Sequence, residues 1–132
     1  TALSAAETGH LVLATIHASR VVMAVNRLVD LFPLDHQRQA RFQLSDVLEG
    51  IIAQQLLPRA GAPGRVPVCE VLVATTEVRQ AIREADSQRL FDSMRKGGAG
   101  MVTMEQSLSA LYAEGAITLD EYLSHGGAAP GL

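Results

Sequence analysis

Apolar residues are spaced in two ways along this chain, and the spacing predicts its elements. From Leu11 to Ile16 they run almost unbroken. That run is too apolar for a strand with one wet face. Val12, Thr15 and Ile16 favour extended backbone, so it predicts a strand buried on both faces, as in a parallel sheet covered by helices. The Ala-rich stretch from Thr1 to Glu7 predicts the end of a helix, stopped at Thr8-Gly9. Beyond the strand the period becomes helical. Val21, Val25, Leu28 and Phe32 form one stripe with Val22 and Val29 beside it, Ser19 is the candidate cap, and Phe32-Pro33 ends the helix. Asp35 to Glu49 predicts a second helix, with Ala40, Leu44, Val47 and Leu48 inward and Arg38 and Arg41 outward.

Gly50 breaks that pattern. Ile51–Leu57 could continue the helix or be a strand; the turn-rich connector Pro58 to Pro67 and the clear strand Val66–Val73 after it favour a strand, the pair forming an antiparallel ribbon. After Ala74 the pattern becomes one of short helices. Thr76 to Ala85 buries Val78, Ala81, Ile82 and Ala85, and Asp86 to Lys96 buries Leu90, Phe91 and Met94. Thr103-Met104-Glu105-Gln106 and Thr118-Leu119-Asp120-Glu121 both have capping-box spacing and start two more helices, the first ending at Gly115. Gly126 to Leu132 reads as a frayed tail. No internal repeat is present.

Composition narrows the classes. The 132 residues suit one domain, or a half-domain with an appendage, and 48% apolar content supports a core. A net charge of −3 gives no electrostatic footprint for nucleic acid. No run of about 18 apolar residues exists to span a bilayer. The single cysteine, Cys69, sits in an apolar run, makes no internal disulfide and fits a reducing cytoplasm as a small buried hydrophobe. The chain starts at Thr1 and enters the segment Thr8–His17 almost at once, which predicts a piece of a longer protein.

Candidate chemistry centres on His10 and His17. On a strand, seven residues put them on opposite faces and about 23 Å apart, so no shared metal site is expected. His17 lies at the carboxyl end of the strand, where open α/β sheets place ligands, and its imidazole suits a phosphate oxygen. His10 lies at the other end and suits a structural or subunit-contact role.

Ala5-Ala6-Glu7-Thr8-Gly9-His10-Leu11-Val12-Leu13-Ala14-Thr15-Ile16-His17 resembles the histidine box of the secretion ATPases that drive type IV pili and type II secretion. Arg27-Leu28-Val29-Asp30-Leu31-Phe32-Pro33 resembles the R-I-V-D-V-F-P of the retraction branch. Ser45 to Leu57, Gly64 to Leu72, and Gly100-Met101 with Thr103 also fit, so the resemblance runs from Ala2 to about Ser124. It implies an α/β fold: the second half of a RecA-like P-loop ATPase core, few strands flanked by helices, then a small helical carboxyl-terminal region. The division expected is residues 1–74 for the half-core with its histidine box, 75–125 for the helical subdomain and 126–132 for a flexible tail. The resemblance further implies a cytoplasmic homo-hexamer at the inner-membrane base of a pilus. It would bind a platform protein there and use ATP with Mg2+ to pull pilin from the fibre. By resemblance His17 approaches the terminal phosphate and carries catalytic and nucleotide-binding roles, and His10 carries a weaker, indirect one.

A second motif lies at Glu77-Val78-Arg79-Gln80-Ala81-Ile82-Arg83-Glu84, where the retraction branch has A-I-R-N-L-I-R-E. Arg79, Ile82, Arg83 and Glu84 are identical to it, and Glu77 and Ala81 depart from it. Spacing puts Arg79 and Arg83 one turn apart on one exposed face. That face reads either as solvated, with a weak ion pair, or by resemblance as a coupling surface needed for retraction rather than hydrolysis.

The chain also departs from the family. Ala18 and Ser19 stand where it has Thr and Asn after the second histidine. No G-x-x-x-x-G-K-[ST] occurs, and Lys96-Gly97-Gly98-Ala99-Gly100 reads as a loop, since its lysine precedes the glycines and no strand leads in. This chain alone is therefore expected to hold neither ATP nor Mg2+ and to be inactive. It is also expected to self-associate through its unpaired strand. Pilus extension and type II secretion ATPases are the near alternatives, but they often carry a four-cysteine zinc insert, and one cysteine with the Arg79/Arg83 helix favours retraction. A non-catalytic interaction module is the alternative of a different class.

Overall fold

The two strands expected around the Pro/Gly-rich connector pair with each other. In the computed structural model, which describes residues 1–128, β1 (Gly50–Pro58) and β2 (Arg65–Val73) form an antiparallel two-stranded sheet with Gly50 opposite Val73 and Pro58 opposite Arg65. Gly50 opens β1 as well as ending what precedes it. A side chain there would press on the Leu72 carbonyl, 2.9 Å from an added Cβ. Around the ribbon lie α1 (Ala2–Glu7), α2 (Val21–Asp30), a 3-10 turn (Leu34–His36) and α3 (Gln37–Val47) before it. After it come α4 (Thr76–Arg83), α5 (Ser87–Lys96), a second 3-10 turn (Gly98–Gly100), α6 (Met104–Ala113) and α7 (Leu119–Ser124).

The ribbon bridges two packed clusters. At its Gly50 end, Ala53 and Leu72 join Val21, Val25 and Val29 of α2, Leu44 of α3, Val78 and Ile82 of α4, and Leu90 and Met94 of α5. At its hairpin end, Leu57 and Val68 join Met104 and Leu108 of α6 with Ile117 and Tyr122. Tyr122 stacks on Tyr112 at a centroid distance of 4.9 Å. The first cluster draws side chains from both sides of Ala74.

Several expectations are corrected. Leu11–Ile16 is not a strand buried on both faces: it joins no ladder, and Leu11 and Leu13 are 83% and 88% exposed. A strand buried on both faces needs neighbours on its edges and helices above and below. The two strands described here pair with each other, and neither takes this segment as a partner. Ser19 does not cap α2; the cap position is Arg20, without a side-chain cap bond of its own. Phe32 lies past the end of α2 and is half-buried, while Ala24 joins the buried face.

The helix expected from Asp35 to Glu49 starts with the 3-10 turn and ends at Val47. Ala40 and Leu44 are buried, Val47 and Leu48 half-buried. Ala85 follows α4 with φ 55° and is exposed, and Phe91 is half-buried. Cys69 is also only half-buried. Both capping hydroxyls are present: Thr103 completes a full box with Gln106, and Thr118 accepts from the Glu121 N–H. Gly126 and Gly127 donate back to Leu123 and Tyr122 of α7, so the expected tail starts as a helix end. Its residues 129–132 lie outside the described residues.

Candidate functional site

His17 is exposed at the end of the irregular stretch that leads into α2. Backbone tethers hold this stretch. Arg27, two turns into α2, donates Nη1–H to the His17 carbonyl at 2.5 Å, and Gln55 of β1 donates Nε2–H to the Ser19 carbonyl at 3.4 Å. Between residues 16–19, Met23 and Arg27 of α2 and Ile52 and Gln54 of β1, an open cleft of about 450 Å³ remains. Its lining includes both His17 and Arg27, residue types that suit an anionic group. His10 sits elsewhere. Its Nδ1 lies 3.2 Å from the Ala5 carbonyl and 3.1 Å from Thr8 Oγ1, and its backbone N–H also returns to Ala5, so it closes the end of α1. Among the described residues no group of three or more His, Cys, Asp or Glu side chains could hold a metal ion.

The residues of the second motif separate by role. Ile82 is core, 1% exposed. Arg79 is not on a free face: it is 24% exposed, and Nη1 donates to the carbonyls of Ser45 (2.6 Å) and Asp46 (3.0 Å), the last turn of α3. Arg83 donates Nε–H to Ser45 Oγ at 2.8 Å and pairs with Asp46. The two arginines therefore tie α4 to the carbonyl end of α3, where unpaired C=O groups and the helix dipole favour cations. Glu84 is exposed and pairs with Arg89 at 2.9 Å.

Sequence reasoning missed Glu70, Arg20, Glu105 and Ser45. Glu70 is 2% exposed on β2. Its Oε2 accepts the Val21 N–H at 2.7 Å, and its two oxygens take Arg20 Nε–H and Nη2–H at 3.4 and 3.2 Å. Glu105 of α6 accepts from the same Nη2 at 2.9 Å. Burial alone would lower the Arg20 pKa, but hydrogen bonding and charge from Glu70, then Glu105, outweigh it and raise the value. Arg20 stays cationic throughout the neutral range, and its contribution is lost only at strongly alkaline pH. One signal was available. Val66, Val68, Glu70 and Leu72 share the inward face of β2, and a carboxylate in that set must be paired.

The profile of the family described as "Type II/IV secretion system protein" matches residues 1–124. The chain belongs to the type II/IV secretion system protein family. Among similar members of that family, the Type IV pilus retractation ATPase PilT of Pseudomonas aeruginosa is 37% identical over 118 residues, 89% of this chain and 34% of that protein. A Twitching motility protein of Neisseria gonorrhoeae is 42% identical over 117 residues, 88% of this chain and 31% of that one. The crystal structure of the pilus retraction motor PilT with bound ADP superposes with a TM-score of 0.84 at 41% identity, covering 99% of this chain and 36% of that one. The chain thus spans about a third of the length of the relatives it matches. Within this secretion family its mixed α/β arrangement is that of the corresponding third of the retraction motor.

Proposed function

We propose that this chain is the carboxyl-terminal part of a hexameric ATPase that powers type IV pilus retraction and works in the cytoplasm at the inner-membrane base of the pilus, against a platform protein. The observation that carries the reading is the pairing of an exposed His17 with Arg27 at one open cleft, in a chain that superposes on a retraction motor over nearly all of its length. ATP with Mg2+ would supply the phosphoryl chemistry. The two cationic or proton-donating side chains fit the terminal phosphate, and neither a phosphate loop nor a metal-ligand cluster is offered by the residues described. His17 would donate a ring N–H to a phosphate oxygen, and Arg27 would hold the His17 backbone while adding positive charge. The 132-residue chain alone should not turn over ATP. His10 acts indirectly, by closing α1.

The Arg79–Arg83 pair, with Ile82 in the core beneath and Glu84 outside, would carry retraction coupling by holding α4 against α3, rather than by presenting a docking face. In the full-length protein His17→Ala should cut ATP turnover at least about tenfold. Arg79→Ala should leave turnover within about twofold and abolish twitching. Equal loss of turnover in both would overturn the division of roles, and full turnover in His17→Ala would overturn the phosphate-facing role.

A further inference from the structure

Helix α2 begins four residues after His17 without a local cap. Arg20 occupies the cap position but makes no cap bond, and the Ser19 hydroxyl reaches Met23 Sδ instead, at 3.7 Å. The missing acceptor comes from 49 residues away: Glu70 Oε2 takes the Val21 N–H at 2.7 Å, a carboxylate at the positive end of a helix. We propose that Glu70, clamped by Arg20 and braced through it by Glu105, is a positioning residue that sets where the His17 segment sits; this rests on the phosphate-facing role proposed for His17.

Three features support the assignment. Glu70 is almost fully buried, and a buried carboxylate persists only when its oxygens are taken; here Val21 N–H, Arg20 Nε–H and Arg20 Nη2–H take them. Glu70 also lies between Leu72 of one packed cluster and Val68 of the other, so the anchor is embedded where the two meet. Third, apart from the long Ser19 Oγ–Met23 Sδ contact, the remaining tethers of the segment hold carbonyls: Arg27 on His17 and Gln55 on Ser19. They restrain the segment locally, whereas Glu70 fixes the first turn of α2, on which Arg27 itself is carried. On the far side Glu105 of α6 shares Arg20 Nη2, while its own Oε2 is buried without a partner, so Arg20 links α6 to the start of α2.

The test uses the full-length protein, comparing Glu70→Ala, Glu70→Gln and His17→Ala by steady-state ATP turnover, thermal midpoint and amide hydrogen exchange. Glu70→Ala should lower kcat at least about tenfold with KM changed less than about threefold, because a segment displaced by about an ångström loses rate rather than binding. Glu70→Gln keeps a carbonyl for the Val21 N–H and should recover part of the loss. The double variant Glu70→Ala/His17→Ala should be no slower than His17→Ala alone, since Glu70 acts through the histidine. The Val21 amide should exchange at least about tenfold faster in Glu70→Ala. A lowered midpoint with unchanged kcat, or a double variant slower than His17→Ala by the full loss seen in Glu70→Ala, would overturn the positioning role. Unchanged exchange at Val21 would overturn the anchor itself. If His17→Ala alone keeps full turnover, the phosphate-facing reading falls, and any loss then seen in Glu70→Ala cannot pass through His17, which also overturns the proposal.

Discussion

Leu13 and Leu108 are the same side chain in opposite surroundings. Leu108 is fully buried between α6 and the hairpin end of the ribbon, and Leu13 stands 88% exposed. Leu108→Ala should therefore lower the stability of the chain by about 2–5 kcal/mol, the cost of lost burial plus the cavity left behind. Leu13→Ala should stay within about 0.5 kcal/mol. Urea unfolding of the two variants checks the pair, and a Leu13 variant as costly as the Leu108 one would mean that the segment packs in solution. Sequence alone placed Leu13 in a strand expected to be buried on both faces. The difference between the two residues lies in what reaches them from elsewhere in the chain, which no local pattern records.

At the scale of elements, two helix starts show where local chemistry suffices and where it does not. Helix α6 carries its own signal. Thr103 Oγ1 accepts the Gln106 N–H at 3.2 Å, Gln106 Oε1 accepts the Thr103 N–H at 3.0 Å, and the T-x-x-Q spacing announces both. Helix α2 has a plausible cap in Ser19 that the structure does not use. Thr103→Ala should cost about 1 kcal/mol and lower the thermal midpoint by roughly 4 °C, whereas Ser19→Ala should leave the midpoint unchanged. A comparable fall in the Ser19 variant would show that the hydroxyl caps α2 after all. The ribbon was legible for a related local reason: its strands flank a connector rich in Pro and Gly, and a hairpin needs no distant partner to set its register. The Arg79–Arg83 helix was legible as a helix. Its tie to α3 was not, because backbone carbonyls at a helix end have no sequence signature.

For the whole molecule, the ribbon ties together two clusters, and β1 is hydrogen-bonded along one edge only among the described residues. A nine-residue strand with an open edge, in a chain that also exposes the apolar stretch at residues 11–15, is a template for pairing between chains. The isolated 132-residue chain should therefore give a light-scattering mass above 14.1 kDa that rises with concentration. A mass of one chain across the micromolar range would show that the edge and the apolar segment are protected without a partner.

Periodicity and spacing by themselves determined most helices, both strands, the capping box, the histidine pair and the family resemblance, because each rests on residues close together in the chain. Only the tertiary structure decided that Leu11–Ile16 lies unpaired, that Arg79 and Arg83 close α3, and that Glu70 caps α2. In each case the deciding partner is a backbone edge, a carbonyl or a carboxylate supplied by a distant element, or withheld by it. The strand expected at Leu11–Ile16 shows the limit most directly: its composition meets the requirements of a buried strand, but burial is a property of its neighbours.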